Sequence, residues 1–244
     1  MAEASERPAF YALSPGGWRD YWTLLHPPYT VWHLSYVVIG ASLAPTVDLG
    51  WLAETLVAFF LAMGLAAHAL DELNGRPLRT RIPDAILWTI AVVGLVGAVA
   101  LGIHGAIEVS PWLWAFIGAG VFIVVAYNLE LFGGTFHSNL WFAVAWGAFP
   151  ALTAYFAQTG TIRVEAVLAA AACAVLSEAQ RVLSTPVRRL RRSVLSVSGE
   201  LETTEGTREP IDASTLRGAP EGALRWLSLG VPLVAAAMLA SRIA

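Results

Sequence analysis

The sequence predicts an all-α fold, a polytopic transmembrane helical bundle of about seven spans. Three observations predict it. Hydrophobic residues make up 57% of the 244 residues and charged residues only 14%, with a mean hydropathy of +0.61. Apolar runs of about 20 residues, enough to cross a bilayer as a helix, recur along the chain. Arginines gather in alternate connections between those runs, as cytoplasmic loops of membrane proteins do.

Residues 1–28 are amphipathic. Trp18, Tyr21, Trp22, Leu24 and Leu25 interleave with Arg19 and Asp20, and His26-Pro27-Pro28 breaks the segment. This predicts an interfacial helix with aromatic anchors. No early apolar core follows the first residues, so no cleaved signal peptide is expected. A first span covers about 30–47, with His33 and Ser35 near its start and a small-residue face of Gly40, Ala41, Ser42 and Ala44 for close helix contact. The second covers about 51–74 and the third, nearly featureless, about 84–104. The fourth, about 111–130, finishes in Tyr127-Asn128-Leu129-Glu130. A fifth, about 139–157, is rich in aromatics, and its Pro150 predicts a kink. Ser138 is placed to cap its start. The sixth, about 163–185, is alanine-rich up to Ser177, Glu178, Gln180 and Arg181 and runs into the basic RRLRR at 188–192.

Residues 193–221 are polar and read as a flexible cytoplasmic loop, before a last span at about 223–243. The domain division is therefore an N-terminal segment (1–28), a bundle (29–192), a loop (193–221) and a C-terminal helix (222–244). The net charge of −3 speaks against a nucleic-acid partner. The single cysteine, Cys173, lies among alanines, so neither a disulfide framework nor a cysteine metal site is available.

All fifteen basic residues are arginine. With the N-terminus in the cytoplasm, Arg7, Arg19, Arg76, Arg79, Arg81, Arg181, Arg188, Arg189, Arg191 and Arg192 share the cytoplasmic side, and the opposite loops contain only Arg163. Alternation then puts His33, Asp71, Glu72, Asn128, Glu130, His137, Asn139, Glu178 and Arg181 on that same side. Ionisable residues in spans usually face a cavity or a partner. A polar chamber above an apolar, aromatic interior is expected, suited to an amphiphile with a charged head and a hydrocarbon tail. Trp141, Trp146 and Phe149 are expected to enclose that tail.

The stretch AHALDELNGRPLRTRIP at 67–83 organises the site. His68, Asp71 and Glu72 fall at i, i+3 and i+4 and share one helical face. Asn74-Gly75 reads as the C-cap, and Pro77 keeps the helix from resuming. The two carboxylates face the negative end of the helix dipole. They either share a divalent cation with His68 or form an ion-paired helix end with Arg76 or Arg79. The run Arg188–Arg192 either grips phosphate or anchors to lipid headgroups.

HLSYVVIGASLAP at 33–45, LDELNGRPLRTRIP at 70–83 and AYNLELFGGTFHSNLWFAVAWGAFPAL at 126–152 together resemble the UbiA superfamily of intramembrane prenyltransferases. The resemblance covers roughly residues 20–190 and implies a UbiA-like helical bundle that holds an isoprenoid or prenyl diphosphate. It implies Asp71, Glu72 and Glu178 as catalytic, Mg²⁺-binding carboxylates. It further implies His68, Asn74, Arg76, Tyr127, Asn128 and Arg181 at the substrate. In that case the activity is Mg²⁺-dependent prenyl transfer. The alternative is a non-catalytic lipid-binding protein, or a partner subunit of another membrane protein or of a homo-oligomer. Either way the expected location is the cell membrane.

Overall fold

In a computed structural model, which describes residues 7–243, helices break where the sequence places proline, glycine or polar clusters. The first six residues of the N-terminal segment and the last of the C-terminal helix lie outside the described residues. α1 (Trp18–Leu24) runs to His26, whose left-handed backbone (φ 46°) turns the chain into α2 (Pro27–Ser42). α3 (Leu49–Leu73) starts with the Asp48 side chain accepting from the Trp51 N–H at 3.0 Å, and ends at Asn74 followed by Gly75 at φ 93°. Such a glycine terminates a helix without the steric cost a Cβ brings.

α4 (Asp84–Glu108) begins directly after Pro83, and α5 (Leu113–Asn128) follows the Pro111-Trp112 turn. α6 (Asn139–Thr159) is capped as expected, the Trp141 N–H donating to Ser138 Oγ at 3.3 Å. α7 (Val164–Arg192) and α8 (Ala213–Ile243) complete the bundle.

Five of these helices, α3, α4, α6, α7 and α8, are long and apolar enough to cross a membrane. α2 and α5 have 16 residues each, about 24 Å, short of the roughly 30 Å hydrocarbon core. The first span thus ends at Ser42 rather than near 47, because Pro45 follows directly. The fourth starts only after Pro111. Large apolar side chains cover the outer faces: Val92, Val93 and Val96 on α4, Val167 and Leu168 on α7, Leu229 and Leu233 on α8 are all exposed. An apolar surface of this extent belongs in lipid.

The segment expected as a flexible loop is ordered. β1 (Gly199–Glu202) pairs antiparallel with β2 (Arg208–Ile211), Gly199 opposite Ile211. Arg208 bridges to Glu200 and Glu202 at 3.6 and 3.8 Å. Asp212 then starts α8 about ten residues before the predicted span. Its carboxylate accepts from the Ser214 hydroxyl at 2.6 Å and the Thr215 N–H at 2.8 Å, and those bonds hold its pKa down at about 2.

Small residues set the helix spacing. A Cβ on Gly40 would lie 2.0 Å from the Ala151 carbonyl oxygen, and one on Gly147 2.6 Å from that of Cys173. The α2–α6 and α6–α7 pairs therefore touch backbone to backbone.

Two stretches are π-helical, Phe60–Ala67 in α3 and Ala143–Ala148 in α6. The second takes up the irregularity expected at Pro150, which has no N–H for the preceding turn.

Contacts tie the helix ends together at two opposite ends of the bundle. At one end Asp20 accepts from the Arg81 N–H at 3.1 Å, and Arg79 donates to the Arg192 carbonyl at 3.1 Å. At the other, the Asp48 N–H donates to Gln158 Oε1 at 2.8 Å, and Arg242 donates to the Ala44 carbonyl. The first end carries the cavity described next.

Candidate functional site

A cavity of about 300 Å³ opens at the polar end, where α2, α3, α5, α6 and α7 converge under residues 8–11. Its floor is apolar: Met63 and Ala67 come from the π-helical stretch of α3, Trp146 from that of α6, with Phe142 beside it. Both widened turns therefore lie at the site, where π-helical insertions are frequent.

α7 supplies the positive charge. Arg181, Arg188 and Arg192 line the cavity, half-buried, and among the described residues none of them meets a carboxylate. Arg181 donates to Asn139 Oδ1 at 3.2 Å and lies 5.3 Å from the Phe142 ring centre. Arg192 donates to the Pro8 carbonyl at 3.2 Å. Among the described residues the one hydrogen bond of Arg188 is to the Thr185 hydroxyl, at 3.4 Å.

α3 supplies His68 and Asp71. His68 Nδ1 lies 3.1 Å from the Gly64 carbonyl, and its ring stacks on His26 at 4.3 Å. The Asp71 carboxylate faces the cavity and meets no donor among the described residues.

Residues 8–11 form a strap over the opening. Arg191 donates to the Arg7 carbonyl at 3.2 Å, and the Arg225 guanidinium sits 5.0 Å over the Phe10 ring. The Tyr11 hydroxyl and His26 Nδ1 are 2.5 Å apart. Burial, with His68 alongside, pushes the His26 pKa well below its ordinary value. Burial, with Tyr29 alongside, pushes that of Tyr11 well above. Both groups are neutral at physiological pH. Two buried polar atoms on this cavity, His26 Nε2 and the Tyr127 hydroxyl oxygen, have no hydrogen-bond partner among the described residues. Buried polar groups rarely stay unpaired, and each such case calls for an explanation.

Comparison with family models, curated proteins and solved structures finds no match to this chain. Its function has to be read from the cavity itself.

Of the residues singled out in the sequence, His68, Asp71, Asn74, Tyr127, Asn128, Arg181 and Trp146 line the cavity. The others have different places. Glu72 is fully buried and faces away, accepting from the Leu78 N–H (2.9 Å), the Thr80 N–H (2.8 Å) and the Thr80 hydroxyl (2.8 Å). Glu178 accepts from Asn139 Nδ2 at 3.2 Å outside the lining. The Asp71, Glu72 and Glu178 carboxylates are thus not gathered around one point. Among the described residues no group of three or more His, Cys, Asp or Glu side chains is placed to hold a metal ion.

Arg76 donates to the Ile82 carbonyl at 2.6 Å and pairs with Asp84, so it braces the 74–83 loop rather than a ligand or Glu72. Trp141 packs on Phe136 at 4.9 Å and lies on neither cavity. Phe149 lines a second, almost wholly apolar cavity of about 110 Å³ with Phe59, Ala62, Leu95 and Ile117. The strap residues, His26 and Tyr29 were not legible as site residues. The only local sign was the His26-Pro27-Pro28 break, which fixes a turn and says nothing of what faces it.

Proposed function

We propose that the chain is a UbiA-like, seven-pass membrane protein that binds an isoprenoid or prenyl diphosphate with its head in the polar cavity. The observation that carries this reading is the set of three cavity arginines, none in an ion pair with a carboxylate among the described residues, above an apolar floor. Arginine pairs with phosphate oxygens through short, charge-assisted hydrogen bonds, and leaving such cations unpaired in a partly buried site is costly. The Tyr127 hydroxyl adds a further donor. Binding is where this donor set leads. Promoting ionisation of an allylic diphosphate calls for carboxylate-held metal ions, and the three expected carboxylates do not converge. The non-catalytic alternative, a lipid-binding protein or partner subunit, therefore accounts for the site with fewer requirements, and no Mg²⁺-dependent step is included.

The test is binding of farnesyl diphosphate to the purified full chain in detergent, with farnesol as the uncharged control. Wild type is expected to prefer the diphosphate. Arg188→Ala is expected to weaken its binding about tenfold or more, with little change in thermal stability because the one hydrogen bond of Arg188 among the described residues is long. Equal binding of farnesol and farnesyl diphosphate by wild type would sink the reading.

The cavity end is proposed to face the cytoplasm, since only Arg163 and Arg242 stand at the opposite end. A Ser198→Cys variant, on the exposed turn before β1, is expected to resist an impermeant maleimide added to intact cells and to react once they are permeabilised. Efficient labelling from outside reverses the orientation.

A further inference from the structure

The cavity has two chemically opposite walls. The α7 wall, with Tyr127, presents donors. The wall built by the end of α3 and the end of α5 presents acceptors, and hydrogen-bond geometry fixes them as such. A carbonyl only accepts, so His68 Nδ1, 3.1 Å from the Gly64 carbonyl, carries the ring proton. In the neutral ring Nε2 is then a bare acceptor. His137 Nδ1 lies 3.1 Å from the Tyr127 carbonyl and 3.8 Å from Glu130 Oε1, so Nδ1 donates there too and Nε2 is the ring atom left for a ligand. Asn74 donates through Nδ2 to the Asn128 carbonyl at 3.3 Å, and Asn128 through Nδ2 to the Val124 carbonyl at 2.7 Å. Each leaves its amide oxygen open. Among these groups stands the Asp71 carboxylate, without a donor among the described residues. All five residues line the one cavity.

A phosphate alone satisfies the arginine wall and leaves these five acceptors facing one another. A metal ion is a poorer complement, since Glu72 and Glu178, the carboxylates expected to share it with Asp71, lie outside the cavity lining. An ammonium group would bring a fourth cation into a space that Arg181, Arg188 and Arg192 already share. Hydroxyl groups donate without adding charge. We infer that the head group recognised here is a phosphate bearing hydroxyls, its anionic oxygens on the α7 arginines and its hydroxyls on Asp71 and the neighbouring His68, Asn74, Asn128 and His137. This rests on the anionic-amphiphile reading above and narrows it to a head of polyol-phosphate type.

The experiment compares three ligands of one tail, farnesyl propyl phosphate (a phosphate diester without hydroxyls, the phosphate control), farnesyl phosphoglycerol and farnesyl phosphoethanolamine, on the full chain in EDTA-containing buffer. Wild type is expected to bind the phosphoglycerol about tenfold tighter than the phosphate, the increment of a hydrogen bond to a carboxylate. Asp71→Ala is expected to collapse that ratio toward one. Asp71→Asn, which keeps one acceptor oxygen, is expected to give an intermediate ratio and guards against misfolding of the alanine variant. Equal affinity of wild type for phosphate and phosphoglycerol overturns the inference while leaving the anion reading standing. Preference for the phosphoethanolamine, lost in Asp71→Ala, overturns it in favour of a cationic partner for Asp71. Failure of all three ligands to bind removes the inference together with the reading beneath it.

Discussion

Replacing Glu72 with alanine is expected to destabilise the fold by about 3–5 kcal/mol. The Glu72 carboxylate is the core around which the 74–83 loop is wound. It accepts from two backbone N–H groups and one hydroxyl, all within 2.9 Å, and the residue is wholly buried. Truncation orphans all three donors, each at about 1–3 kcal/mol. Arg76 and Arg79 both sit at positive φ, 54° and 56°, which for residues with a Cβ costs about 1–2 kcal/mol each. The Glu72 hydrogen bonds offset that strain.

Glu72→Gln is expected to fall between, since the amide keeps one acceptor but sets an NH₂ group against an N–H donor. Thr80→Val, which removes one of the three bonds, should cost about 1 kcal/mol. Thermal melts of the purified variants in one detergent measure the series. A Glu72→Ala protein that melts with wild type would return Glu72 to the role of a free ligand-binding carboxylate. Farnesyl diphosphate binding by the folded fraction separates the two roles further, because a loop-winding residue changes stability first and affinity only through it.

Glu72 also shows where sequence reading stops. Asp71 and Glu72 are neighbours about 100° apart on the helix, and the shared face with His68 admits either toward the cavity. Packing turned Asp71 inward and gave Glu72 to the loop. Nothing in the string DELNGRPLRT states that choice, because the donors for Glu72 are backbone groups and carry no residue signature. Signals that are local were legible: the Asn74-Gly75 stop, the Ser138 cap, and the run lengths of α3, α4, α6 and α7.

The placing of polar residues at one end was legible too, since it follows from counting helix alternations. Contacts between distant segments were not. His26 stacks on His68 and the strap covers the cavity only because α1 and α2 bring them there. Trp141 and Trp146, five residues apart, were equivalent in sequence, yet the π-helical turn between them sends only Trp146 to the cavity floor. The hairpin at 199–211 was hidden for a different reason. Its strands are four residues long and exposed on both faces, so they carry none of the alternation that marks a half-buried strand.

The second large effect is expected at Glu221, in the segment whose composition looked like loop. Its carboxylate joins α8 to the end of α7. Oε2 accepts from Arg191 Nε at 3.0 Å and Nη2 at 2.6 Å, and Oε1 accepts from Arg225 Nη2 at 2.8 Å. The Arg191 and Glu221 side chains are only 9% and 8% exposed, so this is a buried pair rather than a surface one. Removing one partner of such a pair leaves a charge without compensation, at about 3–5 kcal/mol. Glu221→Ala is expected to show that loss in a thermal or denaturant melt.

Replacing Arg191 and Glu221 with apolar residues of similar size removes the buried pair and releases Arg225, whose side chain is 58% exposed, to solvent, so Arg191→Met with Glu221→Leu is expected to recover most of the stability. One deficit should remain in the double variant. Arg191 also holds the Arg7 carbonyl at 3.2 Å, and no apolar side chain replaces that tie to the strap. Amide exchange at residues 9–12 is therefore expected to rise in the double variant even where the melt is restored. A Glu221→Ala melt within about 1 kcal/mol of wild type would mark the network as no stronger than an exposed pair. A restored melt with strap exchange unchanged would leave the network in place and deny that Arg191 anchors the strap.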